Sequence, residues 1–297
     1  MAITVPFPTA VADLRARLAR NVRGLVAGDT PPVRDPRQPL SGDPGLFGPD
    51  SVTWRLHQDN AMLVGGLRAL LLQTMHPLAM AGVAEHSAYR TDPLGRLART
   101  ALYVGVTTFG TTDEAREAIA AVRRIHDRVT GTAPDGRPYA ANDPHLLTWV
   151  HHTLVDSFLR ANRRYGAAPV SDADADRYVA EMAVLCEEWD AEPAARSVAE
   201  LRAYFRAVEP ELAATGAARD AARWLCVPPL PLAARPAYAV IAPAAIGLLP
   251  ARVRRELWLP MPPGVDPLLV RPAARLLVRT LDWVMAGAAE PEQAPAA

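Results

Sequence analysis

The sequence predicts an all-α fold, and three observations carry that prediction. Apolar residues recur at three- and four-residue spacing along most of the chain. The punctuation between these stretches is that of helix ends: Ser51, Thr111 and Ser171 in capping positions, Asp92-Pro93 and Asp143-Pro144 at helix starts, Gly28, Gly131 and Gly166 at helix stops. Few segments alternate with the period of a strand, and no fixed-period repeat or polar low-complexity linker divides the chain.

Taken in order, residues 10–27 place Leu14, Leu18, Val22 and Leu25 on one helical face. Residues 29–50 are dense in Pro, Gly and Asp and read as a long loop, a lid or a brace. A helix is expected from Ser51 to about Met75, apolar all round at 64–72, with Gly65-Gly66 allowing a backbone or a flat ligand to come close. A short helix follows to about Ser87, then helices over 93–108 and 113–130, the latter opened by the T-x-x-E capping box Thr111/Glu114. The turn-rich GTAPDGRPYAAN leads to helices over 144–165 and 172–190. Two or three shorter helices fill 197–226, and Pro-rich breaks separate the last ones, near 236–248, 250–257 and 267–286. The organisation expected is an N-terminal helix and Pro-rich loop (1–50), a single helical domain (51–287) of globin-like or orthogonal-bundle type with additional helices, and a flexible tail (288–297).

Composition narrows the function classes. The chain has 297 residues, half of them hydrophobic, enough to bury a large core. All 32 basic residues are Arg, a mark of GC-rich coding, and the formal net charge is +0, so there is no electrostatic footprint for nucleic acid or an anionic membrane. The N-terminus lacks the basic and apolar regions of a signal peptide. The most apolar run, 237–249, is broken by Pro243 and falls short of the roughly 20 residues that span a bilayer. A cytoplasmic protein without membrane insertion is expected. Cys186 and Cys226 match no metal spacing and read as free thiols inside helices.

Four of the seven histidines lie at or near residues 73–131: His57, His76, His86 and His126. On helix 113–130 the apolar stripe is Ala115, Ala118, Ile119, Val122, Ile125 and Val129, and His126 falls on it. An imidazole there is either a buried histidine bonded to its neighbours or a metal ligand. On helix 93–108, Arg96 and Thr100 stack as i and i+4 with Arg99 beside them. Such a cluster either binds anionic groups of a ligand or forms an ordinary charged face. His76 precedes a proline and reads as a turn residue, His86 pairs with Glu85 at a helix end, His145 sits at a helix start, and the adjacent His151 and His152 point apart. Structural roles are expected for these. H-E-x-x-H, G-x-S-x-G, C-x-x-C, G-x-G-x-x-G, Walker A and C-x-x-C-H are all absent, as is the Glu-x-x-His of di-iron bundles.

Three stretches together resemble the MpaB-like oxygenases, which include the latex clearing proteins (rubber oxygenases): LLLQTMHPLAMAGVAEHSAYRTDPLGRLARTALYVGVTTFG, VRRIHDRVTG and YAANDPHLLTWVHHTLVDSFL, with the later GLLPARVRREL also similar. The resemblance covers roughly residues 50 to 285. It implies an all-α, globin-like fold that binds haem b through one histidine, here His126. The family's Arg-x-x-x-Thr falls on Arg96 and Thr100, and the lysine of the rubber-cleaving enzymes is replaced by Arg99, which keeps charge but not shape. Arg96 and Thr100 are thus expected to help hold the cofactor, and Arg99 and Thr100 to act in catalysis. The base glutamate of the rubber enzymes has no counterpart, because Met80 and Ala81 stand at its place. The resemblance therefore implies a haem-dependent oxygenase that uses dioxygen on a small apolar substrate, with polyisoprene an unexpected one. A haem peroxidase or oxidative tailoring enzyme, and a non-catalytic helical binding protein, are the alternatives.

Overall fold

The structure is a computed structural model that describes residues 42–87 and 93–286. The helix expected over 10–27, most of the loop 29–50 and the tail lie outside the described residues.

Twelve α-helices and one two-stranded sheet are found among the described residues, so the all-α expectation holds. In chain order they are α1 (Val52–His57), α2 (Met62–Gln73), α3 (Pro77–His86), α4 (Pro93–Phe109), α5 (Thr112–His126), α6 (Pro144–Tyr165), α7 (Asp172–Glu188), α8 (Val198–Val208), α9 (Gly216–Cys226), α10 (Arg235–Leu248), α11 (Ala251–Glu256) and α12 (Arg271–Ala286). The hairpin β1 (Thr130–Thr132) and β2 (Pro138–Ala140) stands between α5 and α6, its strands antiparallel with Gly131 opposite Tyr139.

Two expected helices differ from those found. The helix expected over 51–75 breaks between α1 and α2. There Asp59 turns its carboxylate back to accept from the Ala61 amide (2.8 Å) and, across the fold, from Asn162 and the Ala167 amide (both 3.1 Å). These bonds compete with the helical ladder and win. The helix expected to reach Thr130 stops at His126, because Thr130–Thr132 pair with β2 through a turn whose Gly136 has φ +87°. The caps read from sequence within the described residues are made: the Ser51 and Ser171 hydroxyls accept from backbone amides, Asp143 caps α6, and the Thr111/Glu114 capping box is complete, while Asp92 lies outside them. Glu181 adds a cap from a distance, accepting from the Thr53 amide (2.8 Å) and hydroxyl (2.9 Å) at the start of α1.

The core is organised on both faces of α6. Trp149, Ala161 and Tyr165 pack with α2, α10 and α12, and Val155, Phe158 and Leu159 pack with α1 and α7. The closest contact is α2 on α6. A Cβ added at Gly65 would lie 2.8 Å from Phe158 Cδ1, 3.1 Å from the Ser157 carbonyl oxygen and 3.2 Å from Ala161 Cβ. Of the two partners the sequence allowed for the glycine pair, a backbone is the one found. At the same crossing Arg68, 1% exposed, reaches Asp156 at 2.8 Å, the Ser157 hydroxyl at 2.6 Å and the Leu248 carbonyl at 3.0 Å. Burial works against the guanidinium's charge, and the Asp156 carboxylate works for it. No helix among the described residues is long and apolar enough to cross a membrane.

The two glycines separate in their tolerance. At Gly66 the nearest atom to an added Cβ is 3.9 Å away. Gly65→Ala is expected to destabilise the fold by about 1–3 kcal/mol through overpacking, and Gly66→Ala to leave stability unchanged or raise it. Urea unfolding of the two variants decides this, and equal midpoints would contradict the packing described.

Candidate functional site

Four segments meet around His126. α5 starts at its capping box, where Asp43 also accepts from the Thr112 amide (2.7 Å) and hydroxyl (3.0 Å). The described end of the long loop, residues 42–50, is thus a brace against α5. The apolar stripe of α5 is buried at Ala115 and Ile119 and opens toward the C-terminus, where Ile125 is 62% exposed. The sequence placed Ile125 on the buried stripe, and here it faces out.

His126 closes α5, half-buried, with its ring centroid 5.6 Å from that of Trp189 and the planes tilted by 33°. Trp189, at the C-terminal end of α7, donates its indole N–H to the Tyr103 hydroxyl of α4 at 2.7 Å. Arg123 donates to the Trp189 carbonyl and to Asp190. Asn142 sits below the helix end, donating to the Arg123 carbonyl (3.2 Å) and Asp127 (2.7 Å). α4, α5, the end of α7 and the strand-to-α6 connection thereby fix the imidazole from several sides.

The imidazole itself is under-used. His126 Nδ1 and Asn142 Oδ1 are both buried and make no well-formed hydrogen bond, although the Asn142 side chain lies near enough to act on the ring. Burial is the main cause that lowers the pKa of His126, the Arg96 charge adds to it, and Asn142 and Asp127 oppose it. The side chain is therefore neutral near pH 7 and offers a lone pair. An unmade bond on a buried nitrogen calls for a partner.

The remaining residues singled out in the sequence divide. Arg96, half-buried on α4, donates to the Ser87 hydroxyl at the end of α3, and its charge is felt at His126. The Thr100 hydroxyl donates to the Arg96 carbonyl one turn back, at 3.0 Å. Arg99 is exposed on α4. The structure thus brings Arg96 toward His126 and leaves Arg99 on the outer side of its helix. Met80 is 1% exposed, a buried apolar residue of α3.

Of the other histidines, His57 is bonded at both nitrogens, to the Thr108 hydroxyl (2.8 Å) and the Tyr178 hydroxyl (3.1 Å). His152 is held as a neutral ring, donating from Nδ1 to the Thr148 carbonyl (2.8 Å) and accepting from the Ala195 amide at Nε2 (3.0 Å). His86 meets the Tyr139 hydroxyl at 3.1 Å. All three rings are thus bonded within the fold. His76 and His145 are brought together on Glu211, a meeting that no sequence spacing announces because the three residues come from distant segments. Cys186 and Cys226 are free thiols, pushed up to about 12 and about 11 by burial.

Fold and site together define an all-α protein with a neutral, incompletely bonded histidine held against an arginine-bearing helix. Residues 54–283 match the family described as ER-bound oxygenase mpaB/B'/Rubber oxygenase, catalytic domain, and the chain belongs to that family of oxygenases. No curated protein and no solved structure matches the chain.

His57 gives the fold an acid sensitivity of known sign. Burial pushes its pKa down to about 3, whereas the unfolded chain takes up that proton near pH 6.5. Stability is therefore full above about pH 6.5 and falls as the pH drops toward 3, by about 1.4 kcal/mol per pH unit for this one group. His57→Gln is expected to lose less stability than wild type between pH 7 and pH 5, measured by urea unfolding at both values. An equal loss in both proteins would contradict the assignment.

Proposed function

We propose that the protein is a haem b-dependent oxygenase acting with dioxygen on a small apolar substrate, with His126 as the axial ligand of the iron. The observation that carries this reading is the buried Nδ1 of a neutral His126, which makes no well-formed hydrogen bond, in a chain that belongs to an oxygenase family. The donor fits the group, since neutral imidazole is the usual protein ligand of haem iron. Bound haem supplies the dioxygen chemistry.

The chain's own residues supply position and charge. Asn142 and Trp189 set the His126 ring orientation, and a partner on the second nitrogen raises its strength as a donor. Arg96 pairs with a haem propionate, with Thr100 fixing the same turn of α4. Arg99 and Thr100 are assigned to the reaction, Arg99 as a positive charge that reaches the substrate from the exposed side of α4. With Met80 and Ala81 at the place of the base, no proton acceptor is assigned there, and polyisoprene cleavage is not part of the proposal.

One observation favours a second reading, a helical binding protein without catalysis. The clefts described, about 440 Å³ beside Trp258 and about 730 Å³ between Trp224 and Ile246, do not border His126. Reconstitution separates the two readings. The oxygenase reading expects a Soret band with one haem per chain, and loss of haem or a changed spectrum in His126→Ala. A wild-type protein that stays colourless after haem addition supports the binding protein.

The two arginines are expected to part company in the same material. Arg96→Ala lowers haem occupancy. Arg99→Ala keeps haem and lowers dioxygen consumption per haem by about a hundredfold, the scale of one electrostatic stabiliser. Full turnover per haem in Arg99→Ala removes it from the reaction, and full haem retention in Arg96→Ala removes the propionate contact.

A further inference from the structure

A second group of ligating side chains lies outside the His126 site. His76 immediately precedes α3, His145 is in the first turn of α6, and Glu211 ends the short 3-10 turn Glu209–Glu211 that follows α8. One ligand atom from each lies within 4.8 Å of the others. His145 Nε2 is 2.9 Å from Glu211 Oε2, and His76 Nε2 is 3.5 Å from the same oxygen. The framework behind them is fixed. The Ala213 amide donates to the Met75 carbonyl at 2.9 Å, and Arg252 holds the turn through Glu209 at 2.6 Å and the Leu212 carbonyl at 3.3 Å.

His76 is the independent sign of a ligand. It is 1% exposed, its Nδ1 has no partner, and its Nε2 meets only the Glu211 carboxylate at 3.5 Å, too long for a well-formed hydrogen bond. A neutral imidazole carries one N–H and one lone pair, so a buried ring bonded this weakly, with its Nε2 aimed at a carboxylate and a second imidazole, leaves a place for a ligand between them. The spacing suits a shared ion: two ligands on one tetrahedral zinc stand roughly 3.3 Å apart, given bonds of about 2.0–2.1 Å.

We propose that His76, His145 and Glu211 form a binding site for one divalent first-row transition-metal ion, distinct from the haem iron. Two imidazoles and one carboxylate are the donor set of open zinc sites and of mononuclear non-haem iron, and they disfavour calcium and magnesium, which take oxygen ligands. Glu192 completes the arrangement from outside, 3.1 Å from His145 Nδ1. A carboxylate on the second nitrogen of a ligating histidine fixes its tautomer and strengthens it as a donor. His145 and Glu211 are 33% and 41% exposed, so water completes the coordination sphere and an open position faces solvent. Burial opposes positive charge on both histidines. On His76 it prevails, keeping the ring neutral as a ligand must be, while on His145 the two glutamates outweigh it. Arg137, paired with Asp135 at 2.7 Å, is the cation whose charge acts against His76 protonation.

The test uses full-length, tag-free protein stripped with a chelator and titrated with Zn²⁺ against a chromophoric competitor. Wild type is expected to bind one equivalent. His145→Ala and Glu211→Gln, both at partly exposed positions, weaken binding at least tenfold, and Glu192→Gln weakens it about tenfold through the outer carboxylate. His126→Ala keeps wild-type zinc affinity, so failure of the haem proposal and failure of this one read out separately. Zn²⁺ also raises the melting temperature of wild type and leaves that of Glu211→Gln unchanged. The proposal is overturned if wild type binds no stoichiometric zinc, or if the His145 and Glu211 variants bind as tightly as wild type.

Discussion

The crossing of α2 on α6 is the contact on which the rest of the structure depends. Gly65 lets the α2 backbone settle onto Phe158, Ser157 and Ala161, and that approach places the Arg68 guanidinium against Asp156. A buried arginine is tolerable only where its charge is matched and its donors are used, and here a carboxylate, a hydroxyl and a carbonyl meet it. The carbonyl belongs to Leu248, so the same side chain also docks α10. Close packing and charge pairing therefore specify one register of α2 along α6.

That register reaches both candidate sites through the ends of the two helices. The Trp149 indole donates to the Gln73 carbonyl at 3.3 Å, joining the last turn of α2 to the first turns of α6. His76 follows α2 by three residues and His145 begins α6, so the two imidazoles that face Glu211 are placed by the crossing itself. Asn142, just before α6, is carried to the end of α5 and to His126. In both places a buried nitrogen makes no well-formed hydrogen bond, while His57 and His152 are bonded at both ring nitrogens. The contrast lies in hydrogen-bond accounting rather than in burial, since His152 and His76 are both 1% exposed.

Much of the helical framework was legible in the sequence because its signals are local. Thr111 and Glu114 cap within one turn, Asp143-Pro144 starts a helix by its own chemistry, and Gly65 announced a close approach. The breaks that were missed were decided at a distance. Asp59 leaves the helix to bind Asn162 and Ala167, more than a hundred residues on, and Thr130 leaves it to pair with Ala140. The site was legible in part. His126 is half-buried at the end of α5, and the charge of Arg96 acts on it. Arg99 faces outward, a matter of how α4 rolls on its neighbours, which spacing does not fix. His76, His145 and Glu211 share no spacing at all, and only the fold makes them a group.

The imidazole of His126 is the proposed ligand of the iron, and chemical rescue addresses that group directly. His126→Gly leaves room for free imidazole where the side chain stood. Haem-reconstituted His126→Gly should lose the wild-type absorption spectrum and regain it, saturably, when imidazole is added. A variant that shows the wild-type spectrum without imidazole would place the iron on another residue and contradict the account.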